Sequence, residues 1–236
     1  MTLPAITAAQ MAEVDRIMVE HLGIALLQMM ENAGRHLADL VMASWQPERV
    51  VVLAGPGGNG GGGMVAARHL ANRGINVEVV LSEPGRLGEV PAHQRAILDA
   101  MAVAVHAVER PGVPPEELLA DAVVIDALLG YSLRGDPREP TAGMIRAVAA
   151  AGSSVVALDL PSGLEATSGR VGRPCITADK TLTLALPKTG LTIAAEQVGE
   201  LYVADISVPP SVYTSLGITI VSPFRHAGIR RATIAG

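Results

Sequence analysis

Rings and sulfur are scarce in this chain. Aromatic side chains make up 2% of its 236 residues: one Trp, one Phe and three Tyr. A core so poor in rings must be filled by Val, Leu, Ile, Ala and Met, a choice that suits buried parallel strands under Ala-rich helices. Cys175 stands alone, which rules out an internal disulfide framework and leads us to expect a reducing, cytoplasmic setting. Long apolar runs are missing as well. Stretches such as Val50–Ala54 and Ala102–Val108 are strand-sized, whereas a bilayer span needs roughly 20 residues, so no membrane association is expected. Glu13, Asp15 and Arg16 interrupt the early turns where a secretory segment would be apolar. With 18 basic against 23 acidic side chains there is no basic field to draw in nucleic acid. The six histidines, at 21, 36, 69, 93, 106 and 226, have no metal-ligand spacing.

What remains is a globular composition, 49% apolar and 17% charged, arranged in alternating periods. Thr7 with Gln10 three residues on predicts a capped helix start, with Met11, Val14, Ile17 and Met18 on one face. A second helix is predicted from Leu26 toward Trp45. Buried strands are predicted near Val50–Ala54, Val77–Leu81, Val103–Val108, Ala122–Ala127, Val155–Leu160, Thr181–Leu186, Leu201–Ile206 and Ile218–Val221. Helical patterns separate several of them, at Met64–Leu70, Ala92–Met101, Pro115–Ala120 and Met144–Ala151. Strand–helix–strand alternation predicts an α/β fold with a mostly parallel sheet. The crowding of strands after Thr181 predicts a mixed edge. No repeat or linker divides the chain, and one domain over residues 1–236 is expected.

Ligands of open α/β sheets bind beyond the carboxyl ends of strands. Three segments end there with suitable chemistry. Gly55-Pro56-Gly57-Gly58-Asn59-Gly60-Gly61-Gly62-Gly63 follows the first strand, where it is either a flexible crossover loop or an anion-binding turn at a helix start. It lacks both the P-loop Lys and a clean dinucleotide fingerprint. Asp126 ends Val123-Val124-Ile125 and suits a cation, a ribose hydroxyl or a helix cap. Arg134 and Arg138 beyond it suit phosphate. Asp159 lies in Leu158-Asp159-Leu160-Pro161-Ser162-Gly163, an apolar setting where an ionised carboxylate needs a partner. Ser162 is no elbow nucleophile, because Pro-Ser-Gly is not Gly-x-Ser-x-Gly. A hard cation held by oxygens of Asn59, Asp126 and Ser162 is compatible with this set.

Taken in order, these segments resemble the NAD(P)H-hydrate epimerase family. The resemblance rests on Met30-Glu31-Asn32-Ala33-Gly34-Arg35, Gly55-Pro56-Gly57 through Ala66-Ala67-Arg68-His69-Leu70, Asp126-Ala127-Leu128-Leu129-Gly130 and Asp159-Leu160-Pro161-Ser162-Gly163. Ala178-Asp179-Lys180-Thr181 and Leu186-Pro187-Lys188-Thr189-Gly190-Leu191 add to it. It implies a Rossmann-like three-layer α/β/α sandwich that interconverts the R and S forms of hydrated NADH or NADPH in cofactor repair. A potassium ion would be held by Asn59, Asp126 and Ser162. Substrate would contact Gly58, Asn59, Gly60, Gly61 and Gly62, then Gly130, Tyr131, Ser132, Leu133, Arg134, Gly135 and Asp136, and finally Asp159, the candidate acid–base residue. A homodimer built on the N-terminal helices and a dehydratase on a separate chain are also implied. The family's Asn-Asn-x-x-Asp loop departs here at Gly58 and Gly62, and Glu165 stands where an Asp is usual. Those departures keep two alternatives in view: a non-catalytic nucleotide-binding or scaffold module, and an enzyme for a different nucleotide or sugar phosphate.

Overall fold

The computed structural model describes residues 3–108, 114 and 116–232. One eight-stranded sheet runs through it, in the order β3-β2-β1-β4-β5-β6-β7-β8. The strands are β1 (Arg49–Ala54), β2 (Asn76–Leu81), β3 (Ala104–Ala107), β4 (Val123–Ala127), β5 (Ser154–Leu158), β6 (Lys180–Leu184), β7 (Glu200–Ala204) and β8 (Ile229–Arg231). All pair in parallel except β8, which lies antiparallel on β7. The mixed edge is thus one strand wide.

Alternate residues of β1 explain the layers. Val50, Val52 and Ala54 pack with Leu37 and Val41 of α2 (Leu26–Ser44) and with Met64, Ala67 and Leu70 of α3 (Gly58–Ala71). Val51 and Leu53 point the other way, into a second core with Met144, Ile145 and Val148 of α6 (Thr141–Ala151). A strand greasy on both faces is what a sheet covered by helices on both sides requires. Each such Val or Leu contributes about 1.5–3 kcal/mol of transfer free energy. The result is a Rossmann-like three-layer α/β/α sandwich.

Several elements differ from expectation. The glycine cluster is helix rather than loop: α3 starts at Gly58, with Gly57 as its N-cap. α4 runs Glu89–Ala100 and so starts earlier than expected. Of the helix expected over 115–120, Pro115 lies outside the described residues and α5 covers Glu116–Leu119. Ile218–Val221 is not a strand; Val221 is 87% exposed, and the place beside β7 is taken by Ile229–Arg231. The N-terminal α1 (Ala8–Arg16) has the predicted capping box, Gln10 N bonding Thr7 Oγ1 at 3.2 Å and Thr7 N bonding Gln10 Oε1 at 2.9 Å.

Sheet order reverses between β1 and β4, because β1 leads outward to β2 and β3 while β4 leads to β5. In open parallel sheets that switch point opens a crevice at the carboxyl ends.

Candidate active site

A cavity of about 470 Å³ occupies this crevice. Its walls come from three places: the start of α3 (Gly57, Gly58, Asn59, Gly62), the strand ends (Leu128–Ser132 after β4, Leu158 and Asp159 at β5), and the helical N-terminal region (Met11, Asp15, Met29, Met30). The first turn of α3 presents backbone N–H groups that have no intrahelical acceptor. A helix start of this kind favours an anion.

Glycines let α3 sit close to its neighbours. A methyl group at Gly60 would come within 1.9 Å of the Gly55 carbonyl oxygen, and one at Gly63 within 2.5 Å of Ala127 Cβ. Gly60 and Gly61 therefore serve packing and do not line the cavity, whereas Gly58, Asn59 and Gly62 do. At Gly58 nothing lies within 4 Å of an added Cβ, and at Gly62 only Leu158 Cδ2 does, at 2.8 Å.

Asn59, Asp126 and Ser162 meet on one short piece of backbone. Asn59 Nδ2 donates to the Leu129 carbonyl at 2.9 Å, and Leu129 N donates to Ser162 Oγ at 2.9 Å. Ser162 Oγ and N donate to the two Asp126 oxygens at 2.6 and 2.7 Å, and Leu128 N reaches Oδ1 at 3.3 Å. Asp126 and Ser162 are buried just behind the cavity lining. Among the described residues no cationic side chain pairs with Asp126. Burial pushes its carboxyl up from 3.8 to about 6, against the Ser162 and Leu128 hydrogen bonds that pull it down.

Asp159 is treated differently. The wholly buried Lys188 pairs its Nζ with Asp159 Oδ1 and also donates to the Leu184 carbonyl at 2.9 Å. Thr183 Oγ1 and Leu184 N lie 3.3 Å from the same Oδ1. Among the described residues Oδ2 receives no hydrogen bond, so one oxygen of this cavity-lining residue is anchored and the other is not. Asp159 holds φ +69°, a left-handed conformation uncommon outside glycine and worth noting at a site.

Two lining residues escaped the sequence reading of chemistry. Lys188 was visible only as part of a motif, because its partner Asp159 lies 29 positions away. Asp15 entered the sequence reading only as one of the charges that interrupt the early turns. In the fold it is four residues from Met11 on the cavity side of α1 and accepts the Tyr131 hydroxyl proton at 2.6 Å. The one available signal was its position beside the apolar stripe of that helix.

Ser132, Gly130 and Tyr131 line the cavity, but Leu133, Arg134, Gly135 and Asp136 lie beyond it. Arg134 is exposed, with Glu165 Oε1 at 4.0 Å. Asp136 pairs with Arg170 at 2.8 Å, which holds its carboxyl below the usual range. Arg138 is exposed.

Comparison with known proteins gives the same picture at the level of the whole chain. The family model described as YjeF-related protein N-terminus matches residues 26–190. An NAD(P)H-hydrate epimerase of Dehalogenimonas lykanthroporepellens is 45% identical over 97% of this chain and 92% of its own length. A bifunctional NAD(P)H-hydrate repair enzyme of Hyperthermus butylicus is 42% identical over 90% of this chain, which spans 40% of that longer protein. The crystal structure of the yeast protein ynu0 (YNL200c) superposes with a TM-score of 0.86 at 25% identity, covering 97% of this chain and all of the yeast one.

Proposed function

Because the chain belongs to the YjeF-related N-terminal family, we propose that it is an NAD(P)H-hydrate epimerase, an isomerase that interconverts the R and S hydrates of NADH and NADPH. The observation that carries this reading is the meeting of Asn59, Asp126 and Ser162 on Leu128–Leu129, beside a cavity lined by Asp159, one oxygen of which has no hydrogen-bond partner among the described residues.

The reacting carbon bears a hydroxyl next to the ring nitrogen. Inverting it requires a proton to be moved on and off that oxygen, a task suited to a positioned carboxylate. Asp159 is the residue for it. Lys188 fixes the rotamer through Oδ1 and leaves Oδ2 for the substrate. The start of α3, with Gly58, Asn59 and Gly62, receives the phosphate-bearing part of the dinucleotide through backbone N–H groups. Tyr131 and Ser132 close the side of the cavity. No hydride moves.

The oxygens of Asn59, Asp126 and Ser162 form a donor set with one negative charge, and Asp126 is buried without a cationic partner among the described residues. Both features fit a hard monovalent cation, and potassium is the ion proposed. When bound, it supplies the counter-charge that Asp126 lacks and stiffens Leu128–Gly130. A homodimer, a cytoplasmic location and a separate dehydratase acting on the product complete the proposal.

The test is direct. Purified protein is incubated with the R epimer of hydrated NADH, and the epimers are followed by chromatography with and without potassium. Interconversion well above the spontaneous rate is expected, faster with potassium. A rate equal to background removes the reading.

A further inference from the structure

Two carboxylates reach the cavity from different walls. Asp159 comes from the end of β5, and Asp15 comes from α1. Each has one oxygen held by a partner supplied from elsewhere in the chain. Lys188 holds Asp159 Oδ1, and the Tyr131 hydroxyl holds Asp15 Oδ2 at 2.6 Å. Among the described residues, neither Asp159 Oδ2 nor Asp15 Oδ1 receives a hydrogen bond. An inversion by loss and re-addition of the hydroxyl needs proton transfer on both faces of the ring, and one fixed carboxylate serves one face. We propose that Asp15 is a second proton-transfer residue, flanking the epimerised carbon on the face opposite Asp159, with Tyr131 as its positioning residue. This rests on the epimerase reading above.

The environments of the two groups divide the labour. Asp159 is paired with an ammonium. Asp15 is half-buried and, among the described residues, has no ion-pair partner; burial raises its pKa, the Tyr131 hydrogen bond and the positive charge of Lys188 pull it down, and the like charge of Asp159 adds to the rise. Asp15 suits the acid, and Asp159, with one oxygen held by an ammonium, suits the base. The Asp15 acid donates its proton to the hydroxyl of one epimer. The carbon–oxygen bond breaks, its electron pair leaves with the water, and the nitrogen lone pair forms a carbon–nitrogen double bond. A solvent water then adds to the opposite face, the π pair returns to nitrogen, and Asp159 takes the proton of the adding water. Asp15 ends ionised and Asp159 protonated, the form that inverts the other epimer, and exchange with solvent restores the first state.

Oxygen-18 water separates this from a structural role. In the wild type, each inversion by this route exchanges the hydroxyl oxygen with solvent, so inverted product carries the label. Asp15→Asn should lower inversion by about 100-fold or more. It should still let Asp159 expel and re-add water on its own face, giving label exchange with retention in one epimer only. Melting temperature and NADH binding report whether the variant is folded. Inversion by the wild type without label uptake overturns the proposal, as does an Asp15→Asn variant that inverts normally or loses inversion and exchange in parallel. A wild type that does not epimerise fails the functional reading instead, and the two failures are therefore distinct.

Discussion

Asp126 and Asp159 both stand at the carboxyl ends of neighbouring strands, β4 and β5, and both are buried. Their partners differ in kind. Asp159 forms an ion pair with Lys188, whereas among the described residues Asp126 is held by a serine and backbone N–H groups. The first carboxylate has its counter-charge within the chain. The second is driven by burial toward its neutral form unless a positive charge arrives from solvent. The pair shows how the carboxyl ends of adjacent strands can carry one carboxylate paired within the chain beside another that burial perturbs.

Removing the fixed cation should have the largest effect. Lys188→Ala leaves Asp159 buried without its partner, which costs on the order of 3–5 kcal/mol of stability. Urea unfolding of wild type and variant measures this, and epimerase activity should fall with it. A loss under about 1 kcal/mol would mean that water replaces the ammonium, and the contrast between the two carboxylates would weaken.

Asp159→Asn keeps the shape and removes the proton acceptor. Epimerisation should drop by roughly 100- to 10,000-fold, measured by chromatography, with NADH binding little changed. A near-normal rate would end the candidacy of Asp159.

The perturbed carboxylate predicts a pH dependence. The fold holds Asp126 at about 6 against an ordinary 3.8, so the folded state favours the protonated acid. Its contribution is fully present below pH 4 and is lost as pH rises through 6, a difference of about 3 kcal/mol. Potassium should offset that loss once the carboxylate is ionised. The rise in melting temperature on adding potassium should therefore be larger at pH 7.5 than at pH 5, and absent in Asp126→Asn. Equal rises at both pH values would show that the ion acts elsewhere.

The smallest effect is expected at the altered glycines. Gly62→Asp places a carboxylate on the cavity wall, and Leu158 Cδ2, 2.8 Å from the new Cβ, must move. A stability cost of about 1 kcal/mol is expected, with kcat/KM raised several-fold. An unchanged rate would show that the missing carboxylate does not limit catalysis.

Much of this site was legible in the chain because its parts sit in local patterns. Val50–Ala54 could only be a strand buried on both faces, and a strand end followed by Asp126 or Asp159 places that carboxylate at the ligand side of the sheet. The glycine run was harder to read. Glycine is poor helix material by propensity, yet Gly60, Gly61 and Gly63 lie in a helix because Gly55, Met30 and Ala127 leave no space for a side chain. Tertiary packing overrode the local preference. Ile218 and Ile220 misled for the opposite reason: their apolar side chains pack in the cluster around Met18, Met29 and Tyr213 instead of pairing as strand.

Period and composition by themselves determined the layered α/β architecture and the strand ends that carry Asp126, Ser162 and Asp159, since alternating apolar spacing and glycine punctuation act over a few residues. Only the folded chain decided which distant groups face one another: Lys188 with Asp159 across 29 positions, and Tyr131 with Asp15 across 116. Those pairings follow from the order of strands in the sheet and from the packing of α1 against the segments that follow β6 and β7. Long-range placements of this kind leave no periodic trace in the residues that make them.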